Sequence, residues 1–198
     1  MKSGHEAHLY YWLAVLSSAL GWFFHGWLSH SKLLENSTLL PFAEIASPAA
    51  IFALLLFSFD RFGWKIGWLC RILQVPHLPD LNGEWEVKGT SSYEDPQTGK
   101  RQAWDGKATI HQKWSKLSIF LKTAHSSSMS QVAVLWEEKP FTSLLYDYMN
   151  EPAKDAVGTM AKHRGTAKLL YRNGILEGNY YTETRERGTD GSMIFSKI

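Results

Sequence analysis

Two long apolar stretches stand within the first 60 residues, and nothing like them recurs afterwards. His8 to Leu28, HLYYWLAVLSSALGWFFHGWL, holds no Lys, Arg, Asp or Glu; Leu39 to Phe59, LLPFAEIASPAAIFALLLFSF, holds a single acid, Glu44. A helix of ~20 such residues matches the ~30 Å hydrocarbon core of a bilayer. Only SHSKLLENST separates them, so the pattern predicts a helical hairpin with both ends on one side. Tyr10, Tyr11 and Trp12 at one end of the first stretch, and Trp22 and Trp27 at the other, suit the two interfaces. Lys2, Arg61, Lys65 and Arg71 flank the outer ends, against Lys32 alone in the turn, which predicts a multi-pass protein with both termini cytoplasmic. The first stretch is long for a signal-peptide core, and no convincing small-x-small cleavage site follows it.

Two features interrupt the second stretch. Pro48 removes a helix hydrogen bond, and Glu44 puts a carboxylate where lipid makes it costly. Glu44 either snorkels to the interface or meets polar partners such as His25 and Ser17 when helices gather. Ser17, Ser18, Ala19 and Gly21 supply the small surface that close helix packing uses. Beyond Phe59, Trp64, Ile66, Trp68 and Leu69 mixed with Arg61, Lys65 and Arg71 read as an interfacial helix end, which Pro76 and Pro79 stop. Cys70 lies where juxtamembrane palmitoylation occurs, a weak signal on its own. The expected division is residues 1–78, a transmembrane hairpin with its interfacial segment, and residues 79–198, a cytosolic ligand-sensing domain.

The second part has a different period. Sixteen of the 21 Lys and Arg residues fall after Leu78, and turn signals recur about every dozen residues. Strands are predicted over Glu84–Thr90, Ala103–Lys113, Lys116–Thr123, Met129–Glu137, Thr142–Met149, Gly165–Arg172, Ile175–Glu183 and Ser192–Lys197. Asn173-Gly174 is a strong hairpin signal. Successive short strands favour a small closed antiparallel β-barrel of about eight strands, since closure removes exposed edges; a two-sheet sandwich is the alternative. The fold class is thus a membrane α-helical hairpin plus an all-β domain.

A barrel of that size holds packed side chains or one small ligand. Period-2 alternation assigns Trp85 and Val87, Ala108, Ile110 and Gln112, then Leu117, Ile119 and Leu121 to a mainly aliphatic inner side. It assigns Leu144, Tyr146 and Tyr148, then Gly178, Tyr180, Thr182 and Thr184, to an aromatic and hydroxylated one. Such a surface can stack a base and hydrogen-bond its edge; tyrosines filling a core would give the same pattern. Arg172, Arg185 and Arg187 are candidate phosphate donors, because the guanidinium fork matches phosphate oxygens, or else solvated charges at strand ends.

Other classes find little support. A formal charge of +2 lacks the concentrated basic face that duplex DNA requires. One cysteine excludes an internal disulfide and any cysteine-based zinc cage. No Walker loop, G-x-S-x-G or H-E-x-x-H occurs, so neither an enzyme, a metal site nor a cofactor is expected.

Two N-terminal apolar stretches followed by a β-rich domain opening on Leu81-x-Gly83-x-Trp85 resemble the membrane effectors of bacterial CBASS antiphage systems. That family is described as SMODS-associated, two-transmembrane and β-strand-rich. The later Leu176-x-Gly178-x-Tyr180, with Arg185 and Gly191, is similar as well. The resemblance implies a receptor for a cyclic oligonucleotide, a cyclic dinucleotide by preference, made by a partner CD-NTase synthase. It implies further that ligand drives homo-oligomerisation in the bilayer of the inner membrane, membrane disruption and abortive infection. On this reading Trp85, Tyr146, Tyr148, Arg172, Tyr180, Thr182 and Arg185 contact ligand, while Ser17, Gly21 and Glu44 serve assembly. A membrane-anchored, lipocalin-like carrier of an apolar ligand is the competing expectation.

Overall fold

In the computed structural model the chain forms two compact units, Met1–His77 and Leu78–Ile198. The structure describes residues 3–30, 40–94, 99–154, 162–183 and 189–198.

The first unit is helical. α1 (Ser3–His30) and α2 (Leu40–Arg61) are followed by a 3-10 turn (Gly63–Lys65) and a short α3 (Gly67–Ile72). Leu9, Leu13, Ser17 and Gly21 fall every fourth residue on α1, which puts them on one stripe, and all four are buried. At Gly21 a Cβ would lie 2.9 Å from Cγ of Pro48, so this glycine is where α1 and α2 approach most tightly. Ser17 returns its hydroxyl to the Ala14 carbonyl at 2.9 Å. Ser17 and Gly21 are therefore consumed by packing within the chain. The side chain of Glu44 lies outside the described residues.

The expected multi-pass placement in an inner membrane does not stand. Among the described residues, no helix is long and apolar enough to cross a membrane. In α1 the aliphatic residues are diluted by Tyr10, Tyr11, Trp12, Ser17, Ser18, Trp22 and His25, and in α2 the described side chains begin only at Pro48. The helices still expose large apolar groups, including Trp22 (79%), Phe23 (70%), Leu54 (64%) and Phe57 (59%). Cys70, expected at an interface, is fully buried and donates its thiol to the Trp64 carbonyl at 3.2 Å. Burial pushes that thiol's pKa up, which disfavours the reactive thiolate.

The second unit is a closed barrel in which each of the eight strands pairs antiparallel with its chain neighbours and β1 returns to β8. The strands are β1 (Gly83–Glu94), β2 (Arg101–Gln112), β3 (Leu117–Thr123), β4 (Ser126–Glu138), β5 (Phe141–Pro152), β6 (His163–Arg172), β7 (Ile175–Glu183) and β8 (Thr189–Lys197). Asn173 and Gly174 join β6 to β7 with φ of 49° and 84°, the two left-handed residues that a tight hairpin of this twist requires. Between β3 and β4 the ladder is short, covering Phe120–Met129, Leu121–Ser128 and Lys122–Ser127. A register shift in β4 between Ser130 and Val132 follows, and the Ser130 hydroxyl accepts the Ile119 N–H at 2.9 Å in place of a backbone partner.

Alternation carries Trp85, Val87, Ala108, Ile110, Ile119, Leu144, Ala167, Leu169, Leu176 and Phe195 inward, where they are buried. Full burial of each large aliphatic or aromatic side chain stabilises the fold by roughly 1.5–3 kcal/mol. This core fills one end of the barrel, where the lead-in segment is tied down. Gln112 accepts the Leu81 N–H at 2.7 Å and donates to the Pro79 carbonyl at 3.2 Å. Asn82 closes the arrangement by accepting the Gln112 N–H at 2.7 Å and donating to its carbonyl at 3.0 Å. Trp85, 1% exposed, donates its indole N–H to the Leu81 carbonyl at 2.9 Å.

Candidate functional site: a hollow at the opposite end of the barrel

The other end of the barrel is hollow. A cavity of about 460 Å³ lies among the ends of β1, β3, β5 and β7 and the starts of β2, β4, β6 and β8. That volume lies in the range of small-molecule sites. Its lower tier is aromatic: Trp104, Tyr146, Tyr148 and Tyr180, with Met193 beside them. Trp104 meets Tyr180 edge-on at 5.9 Å between centroids and donates its indole N–H to the phenol oxygen at 3.2 Å. The Tyr146 and Tyr148 rings lie 5.8 Å apart.

Glycines on the inner face make room for these rings. A Cβ on Gly165 would collide with the Tyr148 ring, and one on Gly89 with the Trp104 indole. A Cβ on Gly191 would stand 2.6 Å from the Tyr180 ring. Each aromatic thus leans across a neighbouring strand that has no side chain in the way. The rings line a hollow because the sequence supplies glycine opposite them, where the closed end has bulk.

The upper tier is polar. Ser128, Asn150 and His163 stand in register across β4, β5 and β6, two residue pairs above Tyr148 and Gly165 and on the same inward face. Thr182 and Thr189 face each other across β7 and β8 and share a hydroxyl contact at 2.5 Å. Ser91, Gln102 and His125 complete the rim, with Asp105 on the same wall. Burial raises the phenol pKa values of both Tyr146 and Tyr148, each reinforced by its tyrosine neighbour. Both stay neutral and keep their O–H. The Tyr146 hydroxyl is turned to the Met193 sulfur at 3.7 Å.

Of the residues expected at a ligand, Tyr146, Tyr148, Tyr180 and Thr182 come together on this wall. Trp85 does not join them and sits in the closed end. Arg172 shares its parity with Lys168 and so lies on the outer face, stacked 3.8 Å over the Phe141 ring and 4.0 Å from Glu177. Thr184, Arg185 and Arg187 lie outside the described residues. Trp104, Asn150, His163 and the glycine seats were not singled out from the sequence.

A closed eight-stranded barrel with an aromatic hollow and a polar mouth defines a small-ligand receptor. The comparisons give that class a family. Residues 76–197 match the profile described as Cap15, cyclic dinucleotide receptor domain, and the chain belongs to this Cap15 family of CBASS effectors. It is 31% identical over 163 residues to CD-NTase-associated protein 15 of Yersinia aleksiciae, covering 76% of this chain and 74% of that one. It is 26% identical over 155 residues to CD-NTase-associated protein 15 of Staphylococcus schleiferi, covering 78% and 79%.

Proposed function

We propose that residues 79–198 form the sensor of a CBASS effector and that a cyclic dinucleotide binds in the hollow end of the barrel. The observation that carries this reading is the two-tier wall: four aromatic rings below, and hydroxyl, amide and imidazole groups above. Bases stack on the lower tier, since every base has a π-face and each base–aromatic stack is worth ~1–3 kcal/mol. Neutral phenols and threonine hydroxyls then read base edges and ribose. A mouth of hydroxyl, amide and imidazole groups suits a ligand with polar edges better than an apolar cargo, which disfavours the carrier alternative.

Occupancy favours self-association through the helical unit. Ser17 and Gly21 are used inside the chain, so the surface for a second copy is the exposed set that includes Trp22, Phe23, Leu54 and Phe57. Ligand shifts this equilibrium only by its differential affinity for the associated form. The test is calorimetric titration of the full-length protein with cyclic dinucleotides of two purines, two pyrimidines or one of each, with light scattering on the same samples. Saturable binding of at least one, with a rise in mass, is expected. No binding across the panel would refute the receptor reading.

A further inference from the structure

A cyclic dinucleotide has two phosphodiester anions, yet among the described residues lining the hollow there is no lysine or arginine. Among those described residues, the side chains that can become cationic are His125 and His163. Asp105 is exposed and pairs with Lys88 on the parity opposite to Trp104, so its carboxylate faces outward.

Both histidines are held at the mouth, one on each side of the end of β5. His163 begins β6 opposite Asn150. His125 lies in the turn between β3 and β4, and its carbonyl accepts the Ala153 N–H at 2.8 Å, tying that turn to the chain leaving β5. Lys162 pairs with Glu151 at 2.6 Å, and Lys122, Arg164 and Glu183 stand on neighbouring strands without lining the hollow.

We infer that the ligand sits with its bases on the tyrosine tier and its phosphodiester ring at the rim, where His125 and His163 supply positive charge to its phosphates. The inference rests on the receptor reading above. Histidine is the side chain whose charge changes between pH 8 and pH 5, so this site binds its anionic ligand more tightly as pH falls. A hydrogen bond to phosphate strengthens when its donor is charged. A receptor built on arginine would show no such dependence over that range.

The experiment is titration of the full-length protein with the same panel of cyclic dinucleotides at pH 8.0 and pH 5.5. Wild-type affinity should rise on acidification by about tenfold, the scale that separates charged from neutral hydrogen bonds. His163→Gln and His125→Gln should each flatten the dependence, and the double variant should abolish it. His163→Lys should bind tightly at pH 8.0 with a reduced dependence, because its charge persists. Unfolding curves identify any variant that fails to fold. Binding independent of pH in the wild type, or a dependence that survives in the double variant, overturns the histidine assignment and leaves the receptor reading standing. Absence of binding at both pH values overturns the receptor reading and this inference together.

Discussion

The two ends of the barrel are made of the same eight strands and the same alternation, yet one is solid and the other hollow. At the solid end the inward positions carry Trp85, Ile110, Leu169, Leu176 and Phe195, and Gln112 and Asn82 satisfy the backbone of the lead-in segment. At the hollow end the inward positions alternate between rings and glycines, so Tyr148, Tyr180 and Trp104 each have a bare strand to lean on. Fold and site are thus written in one pattern, and the choice between bulk and glycine at inward positions separates stability from binding.

The largest effect should come from the solid end. Trp85→Ala removes a buried aromatic and its hydrogen bond to Leu81, and should cost ~3–5 kcal/mol in denaturant unfolding with ligand affinity retained by the folded fraction. A comparable loss of affinity in folded protein would mean that the two ends are not separate. At the hollow end, Gly165→Ala should cost ~1–3 kcal/mol through overpacking against Tyr148, and should weaken ligand binding too because the ring must move. Tyr148→Ala and Tyr180→Ala should each weaken binding by ~1–3 kcal/mol in calorimetry while leaving more stability than Trp85→Ala does. Full affinity in both would remove the tyrosine tier from the account.

A smaller effect follows from the phenols. Tyr146 and Tyr148 have folded-state pKa values raised above the ordinary 10 by burial, so the unfolded chain releases these protons more readily. Their contribution is present below about pH 10 and is lost as pH rises beyond it, by roughly 1 kcal/mol per pH unit for each group. Tyr146→Phe should therefore flatten the alkaline limb of a stability–pH curve. The smallest effect belongs to Arg172→Ala. Its guanidinium lies on the outer face over Phe141, and its loss should change stability by ~1 kcal/mol or less and binding not at all.

Much of this was legible in the sequence because a strand's period is unambiguous. The inward parity of Tyr146, Tyr148, Tyr180 and Thr182 could be counted directly, as could the hairpin at Asn173-Gly174. What could not be counted is position along the barrel axis. Arg172 and Trp85 were grouped with the tyrosines, although strand pairing places them at the opposite end. Asn150 and His163 were missed because β5 was expected to end at Met149 and β6 to begin at Gly165, whereas pairing continues past both. Trp104 was inside an expected strand and on its inward parity, so alternation could have found it. In the helical unit, small residues on one stripe do not reveal whether the partner helix belongs to the same chain; Gly21 against Pro48 answers that only in three dimensions.

The most direct test of the hollow end as the binding site is hydrogen–deuterium exchange of the full-length protein with and without a bound cyclic dinucleotide. Protection should rise in peptides covering Tyr148–Pro152, His163–Ala167 and Thr189–Met193, and should stay unchanged at Gly83–Val87 and Ile175–Leu176. Protection gained at Gly83–Val87 and Ile175–Leu176, with none around Tyr148 and His163, would contradict the account.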